Sequence, residues 1–216
     1  MKLRIELRSD SAFGRGDGIA GLVDREVEHD ARTGLPFIKG RTIKGLLVEA
    51  CADLLYALKT GNNQATAELE QSARKLFGIP GIFHRAAGCL HVGAALLPDD
   101  LRQYFAAERE KFTPHQLLQG FTTIRHQTAV DAATDGPKHG SLRATRVVLR
   151  RTVFYAQLHS DQALEPVDEQ LLAACAAGMK YGGQNRTRGT GWLKVQLVNS
   201  SESLLESFIE RIGGTI

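Results

Sequence analysis

Gly182-Gly183-Gln184-Asn185-Arg186-Thr187-Arg188-Gly189-Thr190-Gly191 joins a helical pattern to a strand pattern, and the fold is read outward from that junction. Upstream, Pro166 to Tyr181 carries Leu171, Leu172, Cys175 and Met179 on one stripe, the spacing of an amphipathic helix. Downstream, Leu193, Val195 and Leu197 alternate through Trp192 to Val198, the spacing of a strand. Glycine admits positive φ and close backbone approach, successive N–H groups then form an anion nest, and Arg186 and Arg188 add bidentate phosphate contacts. A plain connecting turn has the same composition. A Walker-type loop runs from strand to helix and needs a Lys-Ser/Thr pair. This loop has neither feature, which argues against nucleotide hydrolysis.

Toward the N-terminus, Thr145 to Leu158 is a β-run rich in Val, Thr, Phe and Tyr. Phe121 to Gly140 is polar and aperiodic, an extended excursion. Asp99 to Glu110 reads as a short helix, Cys89 to Leu97 as a strand, and Ala65 to Phe77 as a helix closed by Gly78. A longer helix starts near Ile43 and continues through Leu46, Leu47, Ala50, Leu54, Leu55 and Leu58. Leu3, Ile5 and Leu7 mark a first strand, Ser201 to Ile212 a last helix, and Ser9 to Gly40 a long loop of the kind that usually carries function. The core order is β, α, β, β, α, β. That predicts an α+β, ferredoxin-like (RRM-like) βαββαβ core with long insertions, in one domain over residues 1–216.

Cys51, Cys89 and Cys175 are odd in number and lack CxxC spacing, which points to a reducing compartment, the cytoplasm, rather than to a disulfide framework. The Met1-Lys2-Leu3-Arg4 start is unlike a secretion signal, and no apolar run is long enough for a membrane span. Net charge is only +3, but its distribution is uneven. No acid lies between Asp135 and Asp161, where Lys138, Arg143, Arg146, Arg150 and Arg151 fall. None lies between Glu169 and Glu202, where Lys180, Arg186, Arg188 and Lys194 fall. Such stretches suit a polyanion, and a solvated basic face is the plainer alternative.

Leu35-Pro36-Phe37-Ile38-Lys39-Gly40-Arg41-Thr42-Ile43-Lys44-Gly45 leads into the first long helix, with Thr42 as the expected cap. Lys39, Arg41 and Lys44 flank that helix N-terminus, a ready phosphate site. This stretch resembles the (L/F)P(Y/F)IPGSSLKG signature of the RAMP superfamily, the repeat-associated proteins of CRISPR systems. The loop of Gly182, Gly183, Gly189 and Gly191, as GGxxxxxGxG, resembles that superfamily's second hallmark. Lys39 stands where the family often has proline, and Arg41-Thr42 replace its two serines.

Within the superfamily the chain is most similar to the repeated backbone subunit of type III effector complexes. The resemblance implies guide RNA, complementary target RNA, further copies of the chain and other subunits as partners. It implies a thumb-like β-hairpin insertion at about 112–146, with Arg125, His126 and Arg146 bordering it. Lys39, Arg41, Thr42, Lys44, Gly182, Gly183, Arg186, Arg188 and Gly189 would contact RNA. In the 9–40 loop, Asp24 aligns with the aspartate that cleaving relatives use, so Asp24 is the expected catalytic and metal-binding residue. Its carboxylate would hold Mg²⁺ (or Mn²⁺), bound only with target RNA, beside a phosphate attacked by a flipped nucleotide's 2′-OH.

Two other functions stay open: a guide-coating subunit that does not cut, and a metal-independent endonuclease for precursor guide RNA using His29 or His126. His84, Cys89 and His91 lack a fourth ligand and zinc spacing. Gly16-Asp17-Gly18-Ile19-Ala20-Gly21 fits GxGxxG, but no helix follows it, which excludes a dinucleotide site.

Overall fold

Alternation decides the first element: β1 (Lys2–Leu7) buries Leu3, Ile5 and Leu7 and leaves Lys2, Arg4 and Glu6 half-buried on its other face. The computed structural model describes residues 1–79, 87–186, 188–198 and 201–213. His84, weighed above as a zinc ligand, lies outside them. After the 9–40 loop come α1 (Gly40–Thr60), α2 (Thr66–Phe77), β2 (Leu90–Leu96), α3 (Asp99–Ala107) and α4 (Pro114–Phe121). Then follow β3 (Thr122–Gln127), β4 (Arg143–Val148), β5 (Val153–Ser160), α5 (Pro166–Gly178), β6 (Leu193–Leu197) and α6 (Ser201–Arg211).

One antiparallel sheet has the order β2-β5-β1-β6. With α1 between β1 and β2, and α5 between β5 and β6, this is the ferredoxin-like βαββαβ frame. Ile43, Leu47 and Cys51, one turn apart on α1, face Leu171, Leu172 and Cys175 of α5 and the apolar side of the sheet. All three cysteines are buried free thiols.

Three predicted details differ. Thr42 does not cap α1. Lys39 is the N-cap residue, without a side-chain cap bond, and Thr42 lies in the first turn. The helix starts early because Gly40 presses on β2, where a Cβ would come within 2.0 Å of the Val92 carbonyl oxygen. The predicted β-run over Thr145 to Leu158 is two strands. Arg151, at φ 70°, turns the chain between them, and its N–H donates to the Leu7 carbonyl at 2.7 Å. β4 therefore pairs with β3 in a separate hairpin, while β5 enters the core sheet. The sequence reading also passes over α4, although Thr113-Pro114-His115-Gln116 carries its signal: proline in the first turn and a reciprocal Thr113–Gln116 capping box.

A buried polar cluster fastens α2 to α5. Asp168 accepts from Lys75 Nζ at 2.5 Å and from Ser72 Oγ at 2.7 Å. Burial pushes the Asp168 carboxyl up, but the Lys75 and Ser72 bonds outweigh that and hold it below the usual carboxylate range. A carboxyl lower in the folded state stabilises the fold above its unfolded pKa, and that contribution fades as pH falls through the folded value. Thermal unfolding between pH 7 and pH 3 is therefore expected to show an acid-limb loss of stability that Asp168→Asn reduces. An unchanged limb in the variant would remove Asp168 from that role.

Candidate nucleic-acid interface

The 9–40 loop is laced to the hairpin and to the glycine-rich loop. Ser11 exchanges both backbone bonds with Val148, at 2.9 and 2.8 Å, and the Gln184 N–H donates to the Ala12 carbonyl at 2.8 Å. Within the glycine-rich loop, the Gly182 N–H donates to the Gly191 carbonyl at 2.9 Å, and Thr190 Oγ1 donates to the Asn185 carbonyl at 2.9 Å. Gly183, at φ 86°, is required by the chain itself: a Cβ there would stand 2.7 Å from the Ala12 carbonyl oxygen. Gly182 is buried between Leu46 and Leu193, whereas Gly189, at φ 75°, has open space beside it at the exposed end of the loop.

Between this loop and the far end of the β3–β4 ladder, where the strands pass into residues 128–142, runs a groove of about 900 Å³, lined in part by Arg25, Arg143, Arg186 and Arg188, with Gln127 and Asn185 beside them. No acidic residue is among those that line it. Asn185 Nδ2 donates to Gln127 Oε1 at 3.4 Å, bridging the two walls, and Arg25 donates to Gln184 Oε1 at 3.3 Å. Arg186 is held from outside by Glu49 of α1, at 2.8 and 2.9 Å. The Arg186 hydrogen bond lowers the Glu49 carboxyl, so the pair stays charged. Arg143 and Arg188 are exposed and form no ion pair among the described residues, which leaves both guanidinium forks open to an anion.

Asp24 stands beside the far end of the β3–β4 ladder, where Ala144 pairs with His126. Its N–H donates to the Ala144 carbonyl at 2.8 Å, and its Oδ2 accepts from the Ala144 N–H at 2.7 Å. The side chain is exposed, has no cationic partner among the described residues, and lines a cavity of about 430 Å³ together with His126. Among the described residues no three His, Cys, Asp or Glu side chains converge as a metal cage. The donor set therefore fits a hydrated Mg²⁺ or Mn²⁺ only in the mode where one carboxylate and substrate phosphates share the ion. His29 is turned elsewhere, with Nδ1 3.0 Å from the Val27 carbonyl oxygen.

The remaining expected contacts divide. Lys39 pairs with buried Glu28, and Lys44 Nζ donates to the Leu90 carbonyl at 2.7 Å, so both serve the packing of the helix entry against its neighbours. Arg41 is exposed, but it lies at that entry and lines no part of the arginine groove. Arg125 pairs with Asp10, whose carboxyl burial raises and the Arg125 bonds lower, leaving it below its ordinary range. Arg146 points inward. It is 5% exposed, with Nε 2.8 Å from Glu26 Oε1, so it is a core ion pair and not an open phosphate contact. Arg25 was not among the residues expected at the site, and in the sequence it sits among acids. The fold separates them, burying Glu26 and Glu28 and leaving Arg25 on the groove.

The sequence profile described as the RAMP superfamily matches residues 4–194. No curated protein matches the chain by sequence. A chain in the cryo-EM structure of the apo state of type III-B Cmr-beta is 12% identical, with a TM-score of 0.65 over 93% of this chain and 97% of that one. A chain in the structure of type III-B Cmr-beta bound to cognate target RNA is 10% identical, with a TM-score of 0.63 over 90% and 95%. At that identity the likeness is one of fold.

Proposed function

Because the chain belongs to the RAMP superfamily, we propose that it is a guide-RNA-binding backbone subunit of a type III CRISPR effector complex, and that it cleaves complementary target RNA at Asp24. The single observation that carries the reading is the acid-free groove walled by Arg25, Arg143, Arg186 and Arg188, with the exposed Asp24 carboxylate beside the same end of the β3–β4 hairpin. Arginine forks facing one channel suit a phosphodiester strand, whose phosphates are the same whatever the base. One of the similar structures carries cognate target RNA, which supports a target strand as the second polynucleotide. Other copies of the chain, and other subunits, complete the assembly.

In this mechanism the arginines hold the guide phosphates, the β3–β4 hairpin interrupts the guide–target duplex, and the exposed nucleotide's phosphate meets Asp24. The 2′-oxygen attacks phosphorus in line as its proton passes to water, and the bond to the 5′-oxygen breaks as that oxygen gains a proton from water, leaving a 2′,3′-cyclic phosphate and a 5′-hydroxyl. The Ala144 N–H fixes the Asp24 carboxylate against the hairpin, so the acid and the interrupted base step keep one spacing. A divalent ion shared by Asp24 and the phosphate would supply charge stabilisation at the leaving oxygen.

RNA that co-purifies with the protein is expected to be short, uniform in length and marked by a repeat-derived tag. A heterogeneous RNA population, or none, would count against the guide-binding reading. Arg186→Ala with Arg188→Ala should weaken binding for all sequences alike and reduce the slope of log K against log salt by roughly one unit for each phosphate no longer neutralised. An unchanged slope removes the glycine-rich loop from the phosphate track.

A further inference from the structure

A second cavity shares Arg186 with the arginine groove. It measures about 660 Å³, is lined by Leu46 of α1 and Met179 at the end of α5, and takes Glu49 and Asp53 into its wall. Tyr181 and Trp192 line it as well, and they are 54% and 52% exposed. The two residues are partners in an antiparallel bridge, so their side chains leave the backbone on the same face with Cβ atoms roughly 5 Å apart. That backbone is clamped. The Leu193 N–H donates to the Lys180 carbonyl at 2.8 Å, the Trp192 N–H donates to Ser9 Oγ at 2.9 Å, and the Trp192 carbonyl accepts from the Arg8 N–H at 2.8 Å. Single exposed aromatics are ordinary, but two side by side on a fixed backbone, opening on a cavity, form a prepared surface.

We propose that this cavity receives one unstacked base of the RNA strand whose phosphates follow the arginine groove, with Trp192 and Tyr181 as its stacking surface. The inference rests on the RNA-binding reading above and adds to it a base site, and a residue pair, that the phosphate track does not require. Three observations support a base over other occupants. The cavity adjoins the groove through Arg186, so a strand lying along the guanidinium groups passes its mouth. Its volume lies within the range of small-ligand pockets, and aromatic faces stack any base whatever its sequence. The cavity wall sets Glu49 and Asp53 against Arg186 and Lys180, so it lacks the excess of cations that marks the groove, and its carboxylates accept hydrogen bonds from exocyclic amines.

Trp192 is the only tryptophan in the chain, so its emission reports this surface alone. The full-length protein is titrated at low salt with a short single-stranded RNA carrying a dye, and with a matched strand of abasic ribose-phosphate. Dye anisotropy reads binding, and tryptophan emission reads stacking. Both strands are expected to bind, and only the base-bearing one to quench Trp192. Trp192→Ala should weaken the base-bearing strand by about 5- to 100-fold and leave the abasic strand unchanged, with Trp192→Phe recovering most of the loss. If anisotropy reports binding while emission responds equally to both strands, or the Trp192→Ala loss is the same for both, the base site is wrong and the phosphate track stands. Emission that changes with protein concentration alone marks a second copy of the chain as the occupant, and overturns the proposal. Failure of either strand to bind overturns the RNA-binding reading and this inference together.

Discussion

Asp24→Ala, in the assembled complex with a divalent metal present, is expected to lower target-RNA cleavage by on the order of 10²- to 10⁴-fold while guide binding and assembly persist. The size follows from losing one charge-bearing group at the scissile phosphate, worth several kcal/mol in a transition state that gathers negative charge. Assembly should survive because the Asp24 side chain is exposed, and the one bond it gives up, to the Ala144 N–H, contributes about 1 kcal/mol. Asp24→Asn refines the test: an amide oxygen still accepts from Ala144 and keeps the loop fastened to β4, but brings no charge. Loss of cleavage in both variants assigns the carboxylate a chemical role. Activity retained in the asparagine variant alone makes Asp24 a positioning residue, and undiminished regular cleavage in both overturns its catalytic assignment. Cleavage by the isolated protein in EDTA, abolished by a histidine substitution, would instead support the precursor-processing endonuclease.

Breaking the Glu26–Arg146 pair is expected to have the largest effect on stability. Glu26 is 3% exposed and its Oε1 also accepts from the Val27 N–H, while Arg146 donates to Thr122 Oγ1 at 3.3 Å. Arg146→Met strands a buried carboxylate, which costs about 3–5 kcal/mol. For a chain of this length that is a fall of roughly 6–20 °C in Tm. Glu26→Gln with Arg146→Met removes both charges and should recover a large part of the loss, because the desolvation cost disappears along with the attraction. Additive losses in the double variant would show that the two side chains do not act as a pair. The pair also bears on the site. The Arg146 N–H donates to the Arg25 carbonyl at 3.0 Å, so the strand that carries Arg146 holds the loop segment that carries Asp24 and Arg25. The single variant should therefore weaken RNA binding as well as the fold.

Patterns that depend on neighbours in the chain were legible before any coordinates. The period-2 runs at Leu3–Leu7 and Leu193–Leu197 and the period-3.6 stripes of α1 and α5 each predict an element that is present, and their order specifies the ferredoxin-like sheet. The glycine-rich loop was legible as the place where the backbone comes close to something. That its partner at Gly183 is the chain's own Ala12 was not, since Ala12 arrives from more than a hundred and fifty residues away. The cap at Thr42 failed for a related reason: Gly40 tolerates β2 at van der Waals range, and tertiary packing moved the helix start past the local capping preference.

What the sequence alone determined is the frame: which segments are strands or helices, how they alternate, and that two glycine-marked turns lie at its ends. Tertiary structure decided which charges face outward. On β4, Arg143 meets solvent while Thr145 and Arg146 are both buried, because the 9–40 loop covers a face that strand alternation would leave wet. Arg146 and Lys44 thereby bind protein carboxylate and carbonyl groups, and Arg25, set among acids in the sequence, reaches the groove. Periodicity is written into local backbone geometry and survives in one dimension. Whether a guanidinium meets water, a carboxylate or a phosphate depends on which distant segment packs beside it, and only the folded chain settles that.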